Sequence, residues 1–197
     1  MSAGPRAPNG NWFIGWPLDA RPWLDALTPV PRGARLFHPD DIHATVAFFG
    51  ACGEARALAV WADVATTAAT LAPTTFGPGP LRPFGNPRRP SAFAVEPTDG
   101  AADLCAFIGE HRERWLAAAG ARPDDRAPRA HATLARPLRS AGPEEYRALA
   151  AWARAQVVPE VGLAVTRLAL FTWSDERRER LFRIVAEVAL ENSAPRT

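Results

Sequence analysis

The tripeptide His-Ala-Thr occurs twice, each time running into apolar residues: HATVAFFG begins at His43 and HATLARPL at His131. The two lie 88 positions apart in a chain of 197 residues, so each half carries one copy. The chain has only four histidines and twelve threonines. That two of the histidines share a threonine two places on is a coincidence of about one in fifty. An internal duplication of this size implies two similar lobes of roughly ninety residues, related by a pseudo-twofold axis, with the equivalent strands facing each other.

The rest of the pattern fits two such lobes. Asn11–Trp16 and Asp41–Gly50 read as strands, and the proline-punctuated stretch between them holds a short helix near Pro22–Leu27. Leu58, Trp61, Val64, Ala68 and Leu71 recur at helical spacing. A hairpin follows, one arm near Phe76–Phe84 and the other at Ser91–Glu96, around an Arg88-Arg89 loop. The second half repeats the theme. A helix over Ala101–Ala119 carries Leu104, Phe107, Ile108, His111 and Trp115 and stops at Gly120. His131–Arg136 is a strand, Pro143 opens a helix to Gln156, and Leu163–Trp173 and Leu181–Leu190 are paired β runs around SDERRE. Tight strand pairs and abundant proline favour antiparallel hairpins over long crossovers. The predicted class is α+β: bilobal, with pseudo-twofold duplicated antiparallel sheets, helices packed outside and a central cleft. Residues 11–190 form this single domain, between flexible termini at 1–10 and 191–197.

Strand geometry gives the tripeptides a chemical meaning. Residues i and i+2 share a face, so His43 sits beside Thr45 and His131 beside Thr133. In-line displacement at phosphorus needs a base on the entering water and an acid on the departing oxygen, and histidine serves either role near neutrality. The hydroxyls can donate to the non-bridging oxygens, where charge builds. Such a site needs no metal, and the sequence supports none: only Asp40 and Asp41 offer carboxylates close to a motif histidine. Composition narrows the chemistry further. All 23 basic residues are arginine, which excludes Schiff-base lysines, Walker-type lysines and nucleotidyl-lysine intermediates. A net charge of +2 argues against coating nucleic acid by overall charge.

The two tripeptides resemble the paired H-x-[ST]-x motifs of the 2H phosphoesterase superfamily. The longer stretches RAPRAHATLAR and VTRLALFTWS…LFRIVAEVAL are similar to bacterial RNA 2′,3′-cyclic phosphodiesterases, also called the 2′-5′ RNA ligase family. The order of elements matches from about Asn11 to Leu190. Ala130 stands where these enzymes often have proline, and Phe182 where a tyrosine is common. The resemblance implies a bilobal fold with a central cleft and no cofactor. It implies opening of a 2′,3′-cyclic phosphate at an RNA 3′ end, or in related cyclic nucleotides, to leave a 2′-phosphate. By that analogy His131 is the proton acceptor that activates water, His43 is the proton donor to the 3′ oxygen, and Thr45 and Thr133 bind the phosphate.

Local charge agrees with an RNA terminus as partner. Arg122, Arg126, Arg129, Arg136 and Arg139 outnumber Asp124 and Asp125. Arg136 and Arg126 both have counterparts in the family pattern and are candidate substrate binders. Phe49, on the face of His43 and Thr45 by alternation, and Phe84 are candidates for stacking a base, although core packing is the commoner fate of such rings. Two cysteines are too few for a disulfide framework, and neither a membrane-length apolar run nor a leader-like h-region is present. The expectation is a cytoplasmic monomer. Two other readings stay open: 2′-5′ RNA ligation by the reverse reaction, and a non-catalytic RNA- or nucleotide-binding module.

Overall fold

The computed structural model describes residues 10–86 and 88–191, and among these the chain forms ten strands and four α-helices. The termini expected to be flexible lie outside the described residues apart from Gly10 and Glu191. In chain order the elements are β1 (Trp12–Pro17), α1 (Arg21–Ala26), β2 (Ala34–Leu36), β3 (His43–Gly50), α2 (Glu54–Thr67), β4 (Thr74–Phe76), β5 (Leu81–Asn86) and β6 (Arg89–Val95). They continue with α3 (Ala101–Ala118), β7 (Ala132–Pro137), α4 (Pro143–Ala155), β8 (Leu163–Val165), β9 (Arg167–Trp173) and β10 (Phe182–Ala189).

The fold is α+β with two antiparallel sheets. The larger runs β10-β9-β1-β3-β7-β6-β5, with β2 also paired to β7; the smaller joins β4 to β8. The halves of the large sheet are therefore fused edge to edge. The two motif strands do not face each other across a gap; they are neighbours, with Ala44 paired to Ala132. Two apolar runs that read as single strands in the sequence are divided. Gly77, Pro78, Gly79 and Pro80 separate β4 from β5, and the chain leaves strand geometry at Thr166 between β8 and β9, which frees β4 and β8 to pair.

The helices cover one face of the large sheet. Val60 and Val64 of α2, Leu104, Phe107 and Trp115 of α3, and Leu149 and Trp152 of α4 form one core with Trp12, Ile14, Trp16, Val46, Leu134, Leu168 and Leu170. Burying each large side chain stabilises by about 1.5–3 kcal/mol. The α3 stripe, His111 included, is inward as its spacing predicts. In α2 the inward stripe is Ala57, Val60, Val64 and Thr67, whereas Leu58 is exposed; the small Ala57 lets the helix sit close to its neighbours. α4 opens on Pro143 with Glu144 and Glu145 in its first turn and carries Arg154 in its last, charges that complement the helix dipole. The other face of the sheet carries a separate small cluster of Phe13, Ala169 and Phe171.

Both motif strands are bulged at the same place. Ile14 pairs with Ala47 and Gly15 with Thr45, so β3 has an extra residue at Val46; Phe93 pairs with Ala135 and Ala94 with Thr133, so β7 has one at Leu134. In each strand two successive residues point into the core: Val46 and Ala47, then Leu134 and Ala135. After a bulge the alternation changes phase. The residue five places after each histidine, Phe48 or Arg136, therefore returns to the face of that histidine.

Candidate active site

The antiparallel register at Ala44 and Ala132 sets His43 toward Thr133 and Thr45 toward His131, all on the helix-free face. The histidines are diagonal neighbours in this lattice, with backbones about 7–8 Å apart. Two imidazoles so spaced can reach one phosphate from opposite sides. Gly15 of β1 is required beside them: a Cβ there would lie 2.7 Å from the Ala44 carbonyl oxygen.

The rings are held in equivalent ways. His43 Nδ1 lies 2.7 Å from the Asp41 carbonyl oxygen and His131 Nδ1 lies 3.0 Å from that of Arg129, each the carbonyl two residues upstream. A carbonyl only accepts, so both Nδ1 atoms carry hydrogen and each Nε2 is left for chemistry. Phe13, Phe171 and Phe182 surround His43, with centroids at 4.6, 5.2 and 5.3 Å and Phe182 edge-on. His131 stacks on Phe84 at 3.9 Å.

Charged groups brace these rings. The buried Asp41 carboxylate accepts from the backbone N–H groups of Leu181 (2.7 Å) and Phe182 (3.0 Å), fixing the start of β10 against His43. Glu96 holds Arg129 by a two-pronged fork, Nε at 2.8 Å and Nη2 at 2.7 Å, and Arg129 in turn lies over Phe84 at 4.8 Å. Burial pushes His43 down to about 4, opposed by its hydrogen bond to Asp41 and aided by the charges of Arg136 and His131. His131 is lowered too, chiefly by burial, although its hydrogen bond to Arg129 and the Glu96 charge work the other way. The free site thus holds two neutral imidazoles at neutral pH.

The sequence-derived candidates separate cleanly. His43, Thr45, His131, Thr133 and Arg136 share the face. Arg136 lies over the Phe37 ring at 5.4 Å and is felt electrostatically by both histidines. Phe49 is 4% exposed and belongs to the core, because the bulge takes it off the histidine face; Phe48, 53% exposed, stands there in its place. Arg126 is turned back on Asp124 through Nε and Nη2, both at 2.7 Å, and makes no hydrogen bond or ring contact with either histidine among the described residues. The sequence reading names Asp41 only as a nearby carboxylate, Arg129 only as local charge and Phe182 only where a tyrosine is common; it does not anticipate the ring cage, the Asp41 link to β10 or the Glu96–Arg129 fork. Among the described residues no three His, Cys, Asp or Glu side chains gather as metal ligands, and no helix is long and apolar enough to cross a membrane.

No family model matches the chain. Among curated proteins it is 28% identical over 131 residues to the RNA 2′,3′-cyclic phosphodiesterase of Bacillus subtilis (strain 168), covering 64% of this chain and 70% of that one. Among solved structures it matches E. coli LigT complexed with 3′-AMP with a TM-score of 0.65 at 19% identity, covering 93% of this chain and 99% of that one. TT0787 of Thermus thermophilus matches equally well, with a TM-score of 0.65, 19% identity, and coverage of 93% and 100%. Sequence likeness and fold agree with the resemblance carried by the two tripeptides.

Proposed function

On the premise of a 2H phosphoesterase likeness in both sequence and fold, we propose that this protein is a phosphoesterase that opens the 2′,3′-cyclic phosphate of RNA 3′ ends, or of related cyclic nucleotides, to a 2′-phosphomonoester. The observation that carries this reading is the register at Ala44 and Ala132, which puts two Nδ1-anchored imidazoles and two threonines on one face.

In the reaction, water adds to phosphorus while His131 Nε2 takes its proton. The bond from phosphorus to the 3′ oxygen breaks, and His43 Nε2–H protonates that oxygen. Thr45 and Thr133 donate to the non-bridging oxygens, where the charge grows, and Arg136 on the same face binds substrate. Burial leaves His43 Nε2 without a proton in the free site, and the donor role depends on substrate: an anionic phosphate within about 4–6 Å favours the imidazolium and raises His43 toward the working range. No step calls for a metal or other cofactor, and the substrate partners are RNA termini or cyclic nucleotides.

The test is to incubate the protein with an oligonucleotide ending in a 2′,3′-cyclic phosphate, in excess chelator, and to identify the product. A 2′-phosphate that forms with the wild type and is lost with His43→Ala and His131→Ala supports the reading. Absence of turnover, or full activity in either variant, overturns it; tight binding without turnover would favour a binding module, and joining of 5′-hydroxyl ends would favour the ligase direction.

A further inference from the structure

Strand β2, which the sequence pattern does not announce, brings one more cation to the site. Arg35 pairs directly with Arg136 across β2 and β7, and residues directly opposite on antiparallel strands share a face. That face is the one without helices: Ala34 and Leu36, on either side of Arg35, pack against the core, while Arg35 is exposed. Like charges placed opposite one another are destabilising unless something offsets them. Among the described residues neither guanidinium has a hydrogen bond or an ion pair. The carboxylates that frame the site are already taken: Asp40 by Arg21 (2.6 Å), Asp41 by two backbone N–H groups, and Glu96 by Arg129. Burial and the Arg35 charge both lower Arg136 from its ordinary value. Two adjacent guanidiniums without a carboxylate partner have the chemistry to hold an anion.

Position identifies the anion. The register places Thr133 toward His43, where the reacting phosphate sits, and Arg136 stands three residues further along β7, at most about 10 Å of extended strand. We infer that Arg35 and Arg136 form a second phosphate subsite, which takes the phosphodiester one nucleotide inward from the reacting end. The preferred substrate class is then an oligonucleotide terminus, and a lone cyclic nucleotide leaves this subsite unfilled. This inference rests on the reading of the histidine site given above.

Two unreactive product-like ligands test it: a nucleoside 2′-monophosphate, with one phosphate, and a dinucleotide ending in a 2′-phosphate, with two. Calorimetric Kd values are compared for the wild type, Arg35→Ala and Arg35→Lys. The wild type should favour the dinucleotide, and Arg35→Ala should cut that preference about tenfold, since a charge-assisted contact is lost. Its salt dependence for the dinucleotide should weaken by about 0.7 in log–log slope, as expected for one phosphate contact on a single strand. Arg35→Lys, which keeps charge without the fork, should recover part of the preference. Unfolding without ligand checks integrity: relief of repulsion should leave the Arg35→Ala midpoint no lower than that of the wild type. Equal weakening of both ligands, no preference in the wild type, or no binding of either ligand overturns the subsite. Turnover of cyclic-phosphate substrate by the wild type is measured separately; its absence, with the dinucleotide preference intact, would reject the hydrolase reading and leave the subsite standing.

Discussion

Ala44 and Ala132 stand directly opposite each other on adjacent antiparallel strands, both fully buried, at the point where the two halves of the sheet meet. The placement of His43 and Thr45 against Thr133 and His131 follows from that pairing. Ala132→Leu forces extra methyl groups into packed space and should cost about 1–3 kcal/mol in urea unfolding. Cyclic-phosphate turnover should fall as well under conditions where the variant is fully folded. Wild-type turnover in a destabilised Ala132→Leu protein would show that this pairing does not align the histidines.

The two histidines are expected to work as a unit. His43→Ala and His131→Ala should each lower kcat by about 10²–10⁴-fold. Groups that serve one transition state are strongly non-additive. The double variant should therefore be little worse than the poorer single one, and multiplied losses would point to two independent sites.

Burial of His43 links activity and stability to pH. Its value of about 4 lies below that of the unfolded chain, so between about pH 6.5 and 4 the unfolded state binds more protons than the native one. Stability on this account is complete above that window and is lost as pH falls through it. His43→Phe, seated among Phe13, Phe171 and Phe182, should abolish turnover yet flatten this acid loss, measured as urea midpoints at pH 7 and 4.5. For the wild type, the bell-shaped profile of kcat/KM should be centred below the ordinary histidine value, because both histidines are lowered.

Glu96 offers a way to assign the two roles. Its charge raises His131, so Glu96→Gln should lower His131 further. The limbs of a kcat/KM profile report which group titrates lower, not which is the base, so the height of the maximum is the readout. If His131 is the base, Glu96→Gln leaves more free enzyme in the productive protonation state and the maximum rises; a fall in the maximum exchanges the acid and base.

The bulge in β3 makes neighbouring phenylalanines unequal. Phe49→Ala, in the core, should cost about 3–5 kcal/mol of stability. Phe48→Ala, on the open face, should leave the unfolding midpoint nearly unchanged and raise KM, as stacking of one base is worth about 1–3 kcal/mol. A stability loss at Phe48 matching that at Phe49 would contradict the change of phase.

Much of this protein follows from short-range pattern. Side-chain alternation is a property of any extended chain, so spacing alone places His43 with Thr45 and His131 with Thr133 on shared faces. The helical stripe of α3 and the antiparallel α+β class follow from the same periodicities and from the turn residues. Alternation stops being reliable at an extra residue in a ladder, and a bulge is defined by the partner strand, which is why simple alternation gives Phe49 the place that Phe48 holds. The same device in β7 returns Arg136 to the histidine face. Arg126 is paired with Asp124 through Nε and Nη2, a partner that the local arginine excess does not reveal. The direct pairing of Ala44 with Ala132, the ring cage that β1, β9 and β10 place around His43, the Glu96–Arg129 fork and the opposition of Arg35 to Arg136 join residues from about 30 to about 140 positions apart. Residue chemistry and local repeat thus determined which groups could act, while strand register, bulges and packing between distant segments decided which of them meet.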